Sequence, residues 1–190
     1  MLTSPGWRGP NSQWHVLLFF SFALVLGGAT TASVLAVASG FASAAAEVVR
    51  HSLLVCLSIL FSIREIGLLS FKLPQRAKLI PQSVFARPFP ANVVQFGWEL
   101  GTGVRTYISS TTPYLVGAIL LLGKPDIAAL LAAGVGFGVG RAASPISRFA
   151  SGDGDRWDDL LDRRLGVVTR AAFVATLLLG LGLFLQREIR

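Results

Sequence analysis

The stretch VVQFGWELGTGVRTYISSTTPYLVGAILLLG, residues 93–123, decides how the rest of the chain is read. Its charges are Glu99 and Arg105 alone, and a helix needs about 20 predominantly apolar residues to cross the hydrocarbon of a bilayer. The stretch is therefore long enough for a membrane span, and about ten residues longer than one crossing requires. Its middle is small and polar, from Gly101-Thr102-Gly103 to Ser109-Ser110-Thr111-Thr112. Pro113 follows, without an N–H and with a ring that clashes with the preceding turn. The sequence thus predicts a membrane helix kinked or broken at Pro113. Such a break at membrane depth has to be buried in protein or line a wet cavity.

Four further apolar runs lie around it, at about 14–46, 48–71, 127–143 and 166–185, the second interrupted by Arg64 and Glu65. None alternates in the manner of a membrane barrel strand, and Ala, Leu and Gly dominate them. With 53% apolar and 14% charged residues in a chain of 190, the expected fold is an all-α, polytopic integral membrane helix bundle. It would have about five transmembrane helices in a single membrane domain over 1–190. The first run can also be read as a secretory signal, with Arg8 before it and Ala36, Ala38 and Ser39 as small residues at a cleavage site. Its continuation to Ala46 favours a retained helix, because signal cores usually run about 7–15 residues.

The net charge of +7 would suggest nucleic acid in a soluble protein. Here nine of the seventeen Lys and Arg fall in two segments, Lys72 to Arg87 and Arg141 to Arg164. Lys72, Arg76, Lys78 and Arg87 occupy the first, and Arg141, Arg148, Arg156, Arg163 and Arg164 the second. Cations mark cytoplasmic loops, which makes 72–91 and 144–165 cytoplasmic linkers at the plasma (inner) membrane, able to attract anionic headgroups. No nucleic-acid partner is needed. Five spans then leave the N-terminus inside and the C-terminus outside, where Arg187 and Arg190 fit poorly. Residues 156–165 read as an amphipathic surface helix leading into the last span, with Trp157 at the interface.

The run 14–46 resembles the run 93–123. A shift of 76 pairs Phe20 with Phe96, Leu24 with Leu100, Gly27 with Gly103, Thr30 with Thr106 and Ser33 with Ser109. One inserted residue then pairs Gly40 with Gly117 and Arg64 with Arg141. Each copy would hold two spans, giving a parallel two-helix repeat of the kind some transporters carry. Arg64, Glu65, Glu99, Arg105 and Arg170 lie in or at the edge of spans, where ionised groups need partners or water. Arg64 and Glu99 sit at similar depths and form a candidate ion pair, with Glu65 facing another helix. Arg105 is a candidate contact for an anionic ligand, or else snorkels to the headgroups. Thr111, Thr112, Pro113 and Tyr114 are candidates to line a path that Glu99 and Arg105 would gate or bind. Gly134, Gly136, Gly138 and Gly140 form overlapping small-xxx-small contacts for helix packing.

Other chemistry is not indicated. Cys56 is the lone cysteine, which rules out an intrachain disulfide or a CxxC pair. The aspartates from Asp153 to Asp162 lack the spacing of a calcium loop. No nucleophile, base and orienting group converge, so neither an enzyme, a metal nor a cofactor is expected. At Phe96-Gly97-Trp98-Glu99-Leu100-Gly101-Thr102-Gly103, Thr112-Pro113-Tyr114 and Gly136-Phe137-Gly138-Val139-Gly140-Arg141, the chain resembles small multispanning proteins allied to CcdA/DsbD-type thiol carriers and their exporter relatives. The likeness covers about half of the chain. In the carriers a Thr-Pro-Cys element places a redox cysteine on a broken helix, and Tyr114 stands here in that place. What the resemblance implies is a scaffold of broken helices around a polar site, as in the exporter branch, without electron transfer. The expected activity is export or permeation of a small polar or anionic solute. The alternative is a non-catalytic accessory or assembly subunit of a larger membrane complex. The partners expected are a second copy or an unlike membrane subunit.

Overall fold

A computed structural model of the chain describes residues 10–71, 73, 84, 87–103 and 110–188. Among these residues there is no strand, and six helices follow in order. They are α1 (Pro10–Ala42), α2 (Glu47–Glu65), α3 (Ala91–Gly101), α4 (Thr112–Leu122), α5 (Ile127–Ala150) and α6 (Gly154–Glu188). Two of them contain segments long and apolar enough to cross a membrane, Gln13–Ala42 and Ile127–Ala150.

The helix ends differ from the expected spans for local reasons. The run 48–71 is helical only to Glu65. Gly67 takes a left-handed φ of 87°, its N–H donates to Arg64 O at 3.0 Å, and the N–H of Leu68 reaches back to Ile63 O at 3.1 Å. This is the paired bonding of a Schellman motif, which ends a helix and satisfies its last carbonyls. Among the described residues, the run 93–123 holds two helices. α3 stops at Gly101, Gly103 has a φ of 71°, and α4 starts at Thr112 with Pro113 in its first turn. Proline belongs there, since a first-turn N–H has no helical acceptor in any case. α5 continues beyond the expected end at 143, through Pro145 to Ala150. The expected surface helix 156–165 and the expected span 166–185 are one continuous helix, α6.

The chain divides into two compact units. The first comprises Met1–Ser33, Gln75–Tyr107 and Ala128–Gly154. In it α1 packs against α3 in parallel, with Phe20 stacked on Phe96 at 5.7 Å between ring centroids and Thr31 bonded to Thr102. It packs against α5 in the antiparallel sense, from Trp14 on Phe149 at 4.7 Å to Ala32 beside Gly134. Both contacts are made through small residues. A Cβ added at Gly27, Gly28, Gly97, Gly101, Gly134 or Gly138 would fall within 3.0 Å of backbone on a facing helix. This is how helices approach when small side chains, rather than large apolar ones, form the interface.

The second unit comprises Val34–Pro74, Ile108–Ile127 and Asp155–Arg190. Here α2 and α4 run antiparallel. Arg50 meets Leu122, Phe61 lies 6.4 Å from Tyr114, and Glu65 meets Thr111. Leu115, Ala118 and Leu122 of α4 are buried, and α6 passes with Gly180 against the Ile119 side chain. In both units large apolar side chains face outward, among them Phe22, Ile127, Leu178, Val48 (75% exposed) and Phe41 (80% exposed).

Candidate functional site at the start of an interrupted helix

The first N–H groups of a helix have no partner within it, and at α4 no residue of α4 itself supplies one. Glu65, at the end of α2, does. Its Oε2 accepts the Thr111 N–H at 3.1 Å and the Thr111 hydroxyl in a short bond. Its Oε1 accepts the Ser110 hydroxyl at 3.3 Å. Ser110 in turn shares a bond with the Thr112 hydroxyl at 2.8 Å and accepts the Thr112 N–H at 3.1 Å. Thr111 is 0% exposed. A carboxylate at a helix N-terminus is favoured by the helix dipole, and one at a C-terminus is disfavoured. Glu65 is thus badly placed on its own helix and well placed on α4.

Beside it, the Nε–H of Arg64 donates to Phe71 O at 3.1 Å, and its guanidinium lies 5.4 Å from the centroid of the Phe71 ring. At the far end of α4 the same logic recurs with the opposite sign. Arg50, in the first turn of α2, donates from Nη1 to Leu122 O at 3.1 Å. One helix therefore holds the other by both termini, with an anion at the positive end and a cation at the negative end.

A second polar group belongs to the first unit. Glu99 is 8% exposed, and its Oε1 accepts from Gln95 Nε2 at 3.0 Å. The end of α3 is closed by hydroxyls: Thr102 donates to Glu99 O at 2.8 Å, and Thr31 donates to Thr102 O at 2.9 Å. Trp98 Nε1 donates to the Thr30 hydroxyl at 3.2 Å.

Of the residues singled out in the sequence, Thr111, Thr112, Pro113 and Tyr114 come together at the start of α4, with Arg64 in the same unit. Glu99 belongs to the first unit. Arg105 lies outside the described residues, as do Lys72, Arg76 and Lys78 of the expected basic linker. Gly134 and Gly138 pack against α1, while Gly136 and Gly140 face open space. Arg50 was passed over in the sequence, while Glu65, expected only to face another helix, faces the start of α4. The charges of α2 did not single them out, since Glu47 accompanies Arg50 near its start and Arg64 accompanies Glu65 at its end, so each end carries both signs. Compared with known proteins, the chain matches no family model, no curated sequence and no solved structure.

Proposed function

We propose that the protein is a multi-pass integral membrane protein that moves a small polar or anionic solute across the bilayer, using the interrupted helix before Thr112. The observation that carries this reading is the restart of a helix inside an apolar run, with Glu65 receiving its freed donors. Non-helical backbone at membrane depth is tolerated where it is buried in protein or lines water. Transporters use such helix breaks to contact their solutes. In this reading five spans cross the plasma membrane, with the N-terminus and the loops 72–91 and 144–165 cytoplasmic and the C-terminus outside. Large apolar side chains turned outward over small-residue contacts support a lipid surround. Thr111, Thr112 and Tyr114 line the path, Glu65 holds its edge, and Glu99 and Arg105 bind or gate. The resemblance to the exporter branch agrees with it.

The test is flux. Purified protein in vesicles is assayed against a panel of amino acids, organic acids, sugars and inorganic anions. At least one solute is expected to cross faster than in empty vesicles. Arg105→Ala is expected to slow it about tenfold, the effect of losing one contact worth about 1.4 kcal/mol. Unchanged flux in that variant removes Arg105 from the path.

Gly136 and Gly140, one turn apart on α5 and both open, favour a second reading, an accessory subunit docked through that face. A stoichiometric unlike partner on co-purification in mild detergent, with no flux for any solute, would select it.

A further inference from the structure

Arg50 carries more hydrogen-bonding capacity than capping α4 requires. It is 4% exposed, and no carboxylate of the described residues forms an ion pair with it. Glu47, three residues earlier, faces His51 at 3.9 Å instead. Lys124 and Asp126 lie on the turn that follows Leu122. The bond to Leu122 O uses Nη1, while Nε is buried with no acceptor. In a guanidinium, Nε–H and one N–H of Nη2 point the same way and form a fork that matches two oxygens of a carboxylate or phosphate. That edge is the one left over. A buried charged donor without an acceptor is costly, so an oxyanion seated there answers a demand the chain itself does not meet.

The position indicates which oxyanion. Arg50 follows the turn 43–46 and holds the carbonyl just before the turn 123–126. The first turn follows Gln13–Ala42 and the second precedes Ile127–Ala150, the two segments long and apolar enough to cross a bilayer. Both turns therefore sit where a span meets the headgroups. We propose that the Nε and Nη2 edge of Arg50 binds a phosphate group, supplied by a phospholipid headgroup or by free phosphate. The headgroup as source rests on the membrane-spanning reading above.

The test uses full-length protein stripped of lipid in an uncharged detergent, with thermal unfolding followed by tryptophan fluorescence. Dioleoylphosphatidylcholine and monogalactosyl diacylglycerol are both neutral, so the basic loops do not discriminate between them, and only the first carries phosphate. The phospholipid is expected to raise Tm by about 4 °C more than the galactolipid when well above its dissociation constant. Arg50→Lys, which keeps the charge and loses the fork, is expected to abolish that difference. If inorganic phosphate, compared with chloride at equal ionic strength, gives the rise and the phospholipid does not, the site stands and its ligand is free phosphate. Equal effects of the two lipids on the wild type, with no response to phosphate, overturn the site even if Arg50→Lys does not fold. So does a lipid difference that persists in Arg50→Lys. None of these readouts depends on solute flux, so this inference and the transport reading fail separately.

Discussion

Residues 10–42 and residues 91–122 are apolar runs of similar length, each with a Gly, Thr and Ser patch near its middle, yet the first is one helix and the described residues of the second form two. The difference does not come from the patches. In α1 the hydroxyls turn back on the helix: Thr30 to Leu26 O at 2.7 Å, Thr31 to Gly27 O at 3.3 Å and Ser33 to Ala29 O at 3.0 Å. Hydroxyls bonded this way leave the helix intact and at most bend it. In the second run Ser110 and Thr111 bond to Glu65 on another helix. A helix in an apolar run opens when something outside it receives its donors, because an unmet N–H there costs several kcal/mol.

The sharpest way to break the comparison is to give α1 a proline without giving it a carboxylate. With the inserted residue placed directly after Ser109, Ala36 is the position that the internal repeat sets opposite Pro113. Ala36→Pro removes an N–H and sets its ring against the carbonyl of Ala32, at a cost of about 3 kcal/mol or more. Thermal unfolding in detergent should show a loss of several degrees. If the variant is as stable as the parent, proline alone makes the difference between the runs and Glu65 is incidental.

The converse test removes the acceptor from the broken run. Glu65→Gln replaces a charged acceptor of three bonds by a neutral amide that turns a donor towards the Ser110 and Thr111 donors. The expected loss is about 1.5–3 kcal/mol. Hydrogen exchange should speed up at Tyr114 and Leu115 and stay unchanged in the middle of α1. Uniform acceleration along the whole chain would mean that Glu65 supports the fold generally and does not specifically cap α4.

What could be read from the sequence, and what could not, divides along the same line. Helical content and the oversized runs follow from composition and length, which are local properties. That the run 93–123 opens was legible from Pro113. Its helix restart at Thr112 was legible only in part, because Glu65 lies some 45 residues away in sequence. A single chain does not say which apolar run packs on which. The end of α2 was written in Gly67, whose left-handed backbone closes the helix. An apolar run read for length alone passes over such a signal. The charges of α2 gave no such signal, because Glu47 and Arg64 balance Arg50 and Glu65 at its two ends. Arg50 and Glu65 oppose their own helix dipole and suit an antiparallel neighbour, but only the packing of α2 on α4 distinguishes them from Glu47 and Arg64 beside them.

A smaller effect tests the closed end of α3. Thr31→Val keeps the shape of the side chain and removes the hydroxyl that donates to Thr102 O. The expected cost is about 1 kcal/mol, and it should be seen as faster exchange at the Thr102 and Gly103 amides. Ser33→Ala, at an exposed site where the hydroxyl bonds Ala29 O within α1, is expected to cost less. Equal costs would mean that the bond between helices adds nothing to the bond within α1.

The smallest effect belongs to the residue that first suggested the break. Pro113 lies in the first turn of α4, where its missing N–H has no helical acceptor to lose, so Pro113→Ala should change stability by less than about 1 kcal/mol. With Glu65 in place, the Thr111 N–H is already taken, and the helix is expected to begin at Thr112 as before. The double variant Glu65→Gln/Pro113→Ala removes both the external acceptor and the steric bar, so α4 should extend toward residue 110 and circular dichroism should show added helix. Added helix in Pro113→Ala alone would assign the boundary to the proline, whereas no change in either variant would place its cause further back in the chain, at the left-handed turn of Gly103.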